Sequence, residues 1–214
     1  MTDSPTPDAD QRTGLDLVAP EMFAPVLRRL VLVAVCLALV VGLVAGLFLE
    51  PVAGVVAALV VAVPAGGYVL AVRRRRLWLA GNTLYARTLW RTRQLRVPAV
   101  TGVELLVHPG RLSRVILRLT AGPDRQLVPL AMYTDAGSGR ELHILGLRRL
   151  ADALTGSELA AGLAVADLLV HQLRAEARDA ALSERPLYRA VTAARAKDYV
   201  AAIVLTDQEI AALY

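Results

Sequence analysis

Two long apolar runs decide the fold, LVLVAVCLALVVGLVAGLFL at Leu30–Leu49 and VAGVVAALVVAVPAGGYVLAV at Val52–Val72. Neither run contains a charged residue, and only Glu50 and Pro51 separate them. At about 1.5 Å of rise per residue, roughly 20 helical residues cover the hydrocarbon layer of a bilayer, which is about 30 Å thick. The sequence therefore predicts two membrane-spanning helices joined as a tight antiparallel hairpin.

Arginines flank this hairpin on one side only. Arg28 and Arg29 precede the first run, the four arginines of Arg73–Arg76 follow the second, and the connecting turn has no basic residue. Because basic residues next to a span favour the cytoplasmic side, both termini are predicted to be cytoplasmic. The predicted location is the cytoplasmic membrane, with two spans and Glu50 outside.

Small residues recur at four-residue spacing along both runs. Such faces let two helix backbones approach closely, which predicts helix-packing positions at Gly42, Gly46, Gly54 and Gly66. The face could pack the two helices on each other, or it could contact a second copy or another protein. Neither run contains an ionisable side chain, so no ion or proton pathway is expected within the hairpin.

Positive charge is concentrated directly after the second run. The 214-residue chain has a net charge of +5, whereas residues 73–154 carry fifteen arginines and five acidic residues. Arginines beside a bilayer attract anionic headgroups, at about 1 kcal/mol each. The candidate anionic-lipid contacts are Arg73, Arg74, Arg75, Arg76, Arg87, Arg91 and Arg93. The alternative is that these arginines only set the topology.

The patterns outside the hairpin predict four regions. Residues 1–25, rich in Pro, Asp and Thr, indicate a disordered tail ahead of the hairpin region, 26–75. Residues 76–156 alternate as five or more short strands, beginning with a hairpin around Gly81-Asn82, and end in an amphipathic helix from about Arg140. Residues 157–214 indicate further helices, which dock on the strand domain, pair with a second copy or bind another protein.

The helical region has three predicted elements. One helix is expected from Ser157 to about Leu182, and a second from Leu187 to Val204. The segment Thr206–Glu209 has the form of a capping box ahead of a short third helix. The predicted fold class is thus a membrane α-helical hairpin plus an α+β domain, in which a small, partly open antiparallel barrel is closed by a helix and followed by C-terminal helices.

The strand region resembles the bacterial pleckstrin-homology-like (PH-like) domains of small membrane proteins. The similar features are the hairpin LWLAGNTLYAR, the stretch RVPAVTGVELL, the strand–turn–strand RVILRLTAGPDRQLVPL and the closing helix ELHILGLRRLADAL. Two transmembrane helices ahead of such a domain are also familiar in that group. The resemblance implies a PH-like barrel that binds or scaffolds other molecules, and it associates the Arg87–Arg93 segment with headgroup contact.

No residue pattern indicates catalysis. His108, His143 and His171 have no metal-ligand spacing, the lone Cys36 lies within the first apolar run, and no nucleotide-binding or nucleophile motif is present. Asp167 and His171 at i, i+4 indicate a surface contact, and Glu141 and Asp152 are expected to be solvated helix charges. We therefore expect no enzyme, cofactor, metal, small-molecule substrate or nucleic acid.

Two functional hypotheses follow, with a third that has no nominated residue. The first is a membrane-held PH-like module that binds or scaffolds at the inner surface, with the lipid bilayer and a protein partner or second copy as its contacts. The second is an accessory subunit of a larger transport or envelope-synthesis complex that contacts its partner through the hairpin. The third is a membrane-bound enzyme whose site residues are dispersed.

Overall fold

The computed structural model describes residues 12–17, 20–48, 50–88, 91–197 and 202–214. The chain divides into two compact units. The hairpin unit comprises Val18–Arg76 and Arg87–Arg91. The sheet unit comprises Met1–Leu17, Leu77–Ala86 and Thr92–Tyr214.

Two helices form the hairpin unit, α1 at Pro20–Phe48 and α2 at Pro51–Arg74. Pro51 occupies the start of α2, where a backbone N–H would have no hydrogen-bond partner within the helix. The helix continues past Pro64. The helices approach most closely around two glycines, because a Cβ on Gly54 would lie 2.5 Å from the Gly42 carbonyl oxygen. Only a residue without a side chain fits at that crossing.

The sheet unit contains two sheets followed and covered by helices. In chain order its elements are β1 (Arg12–Gly14), β2 (Arg76–Ala80), β3 (Thr83–Arg87), β4 (Thr92–Arg96), β5 (Gly102–His108), β6 (Leu112–Ala121), β7 (Asp124–Thr134), β8 (Gly139–Glu141), α3 (Ile144–Thr155), α4 (Ala160–Ala177), α5 (Pro186–Ala196), β9 (Ile203–Leu205) and α6 (Asp207–Ala211). The strand orders are β1-β2-β3-β4 and β8-β7-β6-β5-β9. The described residues thus combine helices with antiparallel sheets, as the predicted α+β class requires.

The first strand corrects the predicted disordered tail. Residues Arg12–Gly14 pair antiparallel with β2, and Leu15 donates its N–H to the Leu77 carbonyl at 2.9 Å. Leu15 is fully buried, because its side chain enters the core beside Gly146 of α3. Residues 1–11 of the predicted tail lie outside the described residues, and α1 begins at Pro20, ahead of the predicted boundary at residue 26.

Alternating burial is clearest along β6 of the five-stranded sheet. Val115, Leu117 and Leu119 are fully buried there, whereas Arg114 is exposed and Ile116 and Arg118 are half-buried. On β5, Leu105 and Val107 are fully buried and Leu106 between them is also buried. The inward side chains form one core with Leu79 and Leu84 of the other sheet and with the helices. Burying one face of a sheet in this way sets its register, because a one-residue slip would expose every core side chain.

Two short strands stand where the sequence predicted helix. The helix expected from Arg140 begins at Ile144, because β8 continues the sheet beside β7 and His143 caps the helix, with Nδ1 accepting from the Leu145 N–H at 3.3 Å. The helix expected to reach Val204 ends at Ala196, and β9 pairs with the edge of β5. In both places pairing with a neighbouring strand outweighs the local helix preference.

The C-terminal helices pack on the sheet unit. Helix α4 is shorter than the predicted Ser157–Leu182, because the chain turns after Ala177, where Asp179 adopts a left-handed conformation with a φ of 51°. Leu187 and Val191 of α5 and Ile210 of α6 are buried in the common core. The capping box is confirmed, with the Thr206 hydroxyl accepting from the Glu209 N–H and the Glu209 carboxylate accepting from the Thr206 N–H.

Candidate functional site

The hairpin unit presents an apolar surface along both helices. The segments Arg28–Phe48 and Pro51–Ala71 are each long and apolar enough to cross a membrane, and only 6% and 11% of their most apolar windows are buried. Core helices of a soluble domain would bury such windows, whereas here Leu43, Val60 and Val63 are about two-thirds exposed. The described part of the chain therefore offers no protein cover for this apolar surface.

The predicted packing glycines divide into two groups. Gly42 and Gly54 lie at the closest approach of α1 and α2, and Gly46 lies in ordinary contact, with an added Cβ 3.8 Å from the Gly54 Cα. Gly66 differs, since a Cβ built there would meet no described atom within 4 Å. Gly66 therefore takes no part in packing between these two helices.

The predicted lipid-contact arginines lie at one end of the hairpin and on the adjoining strands. Arg73 and Arg74 end α2, Arg75 and Arg76 follow, and Arg87 and Arg91 belong to the same unit, whereas Arg93 belongs to the sheet unit. Thr88 donates its N–H to the Arg91 carbonyl at 2.8 Å, between the end of β3 and the start of β4. Arg74, Arg75, Arg76, Arg87, Arg91 and Arg93 are all exposed.

A buried polar cluster ties the sheet unit together around Glu141. Its carboxylate accepts hydrogen bonds from the Tyr133 hydroxyl at 2.6 Å, from Gln172 Nε2 at 2.8 Å and from an Arg185 guanidinium nitrogen at 2.8 Å. The Glu141 side chain is only 8% exposed. This position corrects the prediction that Glu141 is a solvated helix charge, because it ends β8 and faces three donors from β7, α4 and the start of α5.

The electrostatics of the Glu141 cluster indicate that its side chains stabilise the fold. Burial, followed by the nearby Glu141 charge, raises the pKa of the Tyr133 phenol well above its usual range, so the phenol remains a donor. The Tyr133 ring also needs Gly139, because a Cβ there would overlap it. Gln172 is fully buried, and its Oε1 accepts from the Leu187 N–H at 3.1 Å. With three donors engaged, the Glu141 carboxylate links β7, β8, α4 and α5.

Glu176 is the exception in this neighbourhood. Its Oε2 atom is buried and has no hydrogen-bond partner among the described residues. Burial, and then the charge of Glu141, raises the pKa of its carboxyl, while Arg185 and His143 lower it by a smaller amount. An acid with a raised pKa is a common feature of catalytic sites, but among the described residues no nucleophilic side chain is hydrogen-bonded to Glu176 Oε2.

Two further polar contacts have structural consequences. Arg195 of α5 donates to the buried Ser113 hydroxyl at 2.9 Å and to Asp135 at 2.8 Å, which joins α5 to the end of the β6–β7 pair where β6 begins and β7 ends. His171 stacks on Tyr214, with ring centroids 4.3 Å apart, and Asp167 is exposed.

Within the described ranges, no group of three or more His, Cys, Asp or Glu residues is arranged to hold a metal ion.

Comparisons with known proteins leave the geometry as the basis for function. No protein-family model matches the sequence, and the searches of curated proteins and of solved structures each find no match.

Proposed function

We propose that this chain is a cytoplasmic-membrane protein whose sheet unit is a non-catalytic binding or scaffolding module of PH-like type. The observation that carries the proposal is the pair of adjacent, exposed apolar helices with arginines at only one end. The described chain does not cover the apolar side chains of these helices. The apolar interior of a bilayer is the environment that would cover them. The arginines Arg28, Arg29, Arg74 and Arg75 then favour the cytoplasmic side.

The pairing of β1 with β2 supports the same arrangement independently of charge. β1 precedes α1 in the chain, β2 follows α2, and the two strands share backbone hydrogen bonds within one folded unit. The ends of the hairpin must therefore lie on the same side of any membrane that it crosses. Together with the positive-inside rule, this pairing supports two spans with the sheet unit in the cytoplasm.

The PH-like assignment is supported by the order of elements. Strands β2 to β7 follow one another as neighbours in two sheets, and α3 packs its buried Leu147, Leu150 and Leu154 into the shared core. Small barrel-like domains bind other molecules in many proteins. A binding role is therefore the function proposed for this unit, by analogy of fold. The exposed side chains of Arg74, Arg75, Arg76, Arg87, Arg91 and Arg93 suit contact with anionic headgroups.

A cysteine-labelling experiment tests the topology. In a Cys36→Ala background, Glu50→Cys and Glu158→Cys place single thiols at the hairpin turn and at an exposed site before α4. A membrane-impermeant maleimide added to intact cells is expected to label the Glu50 position and to spare the Glu158 position until the cells are lysed. Labelling of the Glu158 position in intact cells would contradict the proposal.

One observation favours the second candidate, an accessory subunit that contacts its partner through the hairpin. Gly66 and Gly67 present an open small-residue surface on α2, with no described atom within 4 Å of an added Cβ. Gly66→Leu in the full-length protein is expected to abolish copurification of a membrane partner in mild detergent, if the hairpin is the contact. Unchanged copurification would leave the binding module as the better proposal.

A further inference from the structure

Glu176 lies where a negative charge is disfavoured. It belongs to the last turn of α4, so its charge meets the negative end of the helix dipole. It follows Gln172 by one helical turn, and Gln172 Nε2 donates to the Glu141 carboxylate at 2.8 Å. The Oε2 atom of Glu176 is buried and accepts no hydrogen bond from the described residues. Burial, a neighbouring carboxylate and the helix dipole therefore all favour the protonated acid.

The groups that could balance a charge on Glu176 are already engaged. Among the described residues, the charged groups that act on it are Glu141 of β8, Arg185 before α5 and His143 before α3. Arg185 donates to Glu141 at 2.8 Å, and the His143 Nδ1 atom accepts from the Leu145 N–H. A charged Glu176 would therefore have to share the guanidinium that Glu141 binds.

Arg185 also holds the segment between α4 and α5, residues 178–185, which we call the α4–α5 corner. The chain turns there at Asp179, whose φ is 51°, and Arg185 Nε donates to the Ala180 carbonyl at 3.2 Å. The other ionisable side chains of the corner are exposed, namely those of Arg178, Asp179 and Glu184. Loss of the contact between Arg185 and Glu141 would therefore release the corner from β8.

We propose that Glu176 is a proton-operated switch that opens the α4–α5 corner as pH rises. With Glu176 protonated, Arg185 binds only Glu141 and the corner is closed, as in the structure. Loss of that proton to water gives Arg185 a second carboxylate to bind, which weakens its link to Glu141 and frees the corner. Burial and the Glu141 charge raise the pKa of the Glu176 carboxyl, so the closed corner persists above the pH at which an exposed glutamate ionises. The switch lies within the sheet unit and does not depend on the proposed membrane location or binding role.

Hydrogen exchange of the full-length protein in detergent, resolved by peptide mass spectrometry, tests the switch. Protection factors, corrected for the effect of pH on free peptides, are compared at about pH 5 and about pH 8. We expect the protection of residues 178–187 to fall about threefold or more at the higher pH, while that of β5 and β6 stays unchanged. Glu176→Gln should keep the corner protected at both pH values, because the amide carries no charge. Glu184→Gln, at an exposed position in the corner, should respond to pH as the unmodified protein does.

Four results would overturn the switch proposal. Protection of the corner that does not change with pH would mean that a charged Glu176 turns into water without disturbing Arg185. A pH response retained by Glu176→Gln would assign the titration to another group. An equal loss of protection in β5 and β6 would mean general destabilisation and not an opening of the corner. Arg185→Met is expected to leave the corner unprotected at both pH values, and full protection in that variant would show that Arg185 does not hold the corner.

Discussion

At the scale of single residues, the ion pair between Arg185 and Glu141 has the least exposed side chains of those described. Removing one partner of a buried pair leaves an uncompensated charge, which costs about 3–5 kcal/mol when burial is complete. Because Arg185 remains 22% exposed, we expect Arg185→Met to lower the free energy of unfolding by about 2–3 kcal/mol. Adding Glu141→Gln should restore much of that loss, since Tyr133 and Gln172 can still bind an amide. Thermal unfolding of both full-length variants in detergent checks this. A double variant that loses as much free energy of unfolding as the two single substitutions added together would contradict it.

The carboxyl of Glu176 makes stability depend on pH. Its pKa in the folded state is raised by burial and by Glu141, so the folded chain holds this proton more tightly than the unfolded chain does. Stability therefore falls as pH rises from the unfolded pKa toward the folded one. Glu176→Gln is expected to raise the melting temperature above this window and to leave it unchanged at about pH 4. Glu184→Gln, at an exposed position, is the control and should show no such pH-dependent gain.

At the scale of elements, the α1–α2 crossing depends on one glycine more than on the others. A methyl group at Gly54 would lie 2.5 Å from the Gly42 oxygen and 2.9 Å from the Gly46 backbone. We expect Gly54→Ala to separate the helices and to destabilise the hairpin by about 1–3 kcal/mol, as overpacking does elsewhere. Gly66→Ala adds the same methyl group in open space and should have no such effect. Circular dichroism measures the loss of helix in both variants as dodecyl sulfate is added. An equal loss of helix in the two variants would exclude the crossing as the cause.

Strand β1 is held chiefly by one side chain. Leu15 is fully buried, and Asp16 Oδ1 accepts from the Leu77 N–H at 3.2 Å. Leu15→Ala is expected to lower the stability of the sheet unit by about 2–4 kcal/mol through the cavity that it leaves. Thr13→Ala on the same strand keeps every backbone bond and serves as the control. Protease susceptibility of the full-length protein should rise for the first variant alone, and equal resistance of the two would mean that β1 contributes little.

The same elements show what the sequence could and could not reveal. The hairpin, the alternation of β6 and the capping box at Thr206 are local patterns, and each was predictable from neighbouring residues. β1, β8 and β9 have three residues each, which is too short for a period to be seen, and they exist because a distant strand supplies their hydrogen bonds. The Glu141 cluster was missed for the same reason, since its four side chains come from positions 133–185. A lone acid between Gly-Arg and a buried leucine gave no periodic signal.

At the scale of the whole molecule, the uneven charge predicts how the protein meets lipid. Arg87 and Arg91 belong to the hairpin unit and are exposed, and each is worth about 1 kcal/mol beside an anionic surface. Replacing both with Gln removes about 2 kcal/mol and should weaken binding of phosphatidylglycerol to the detergent-purified protein about thirtyfold. Arg148→Gln with Arg149→Gln removes two exposed arginines from α3 as the control. Native mass spectrometry of lipid adducts measures lipid binding by both double variants. An equal loss of lipid binding in the two would exclude a localised contact.

The pairing of β1 with β2 also has a consequence for biosynthesis. Leu77 lies 61 residues after Asp16, so β1 leaves the ribosome several seconds before its partner strand exists, at about 5–20 residues per second. During that interval Leu15 has no core to enter. A chain whose second helix fails to insert would keep the two strands on opposite faces of the membrane permanently. If the hairpin spans a membrane as proposed, such a chain would display an unpaired β1 that chaperones and proteases can recognise.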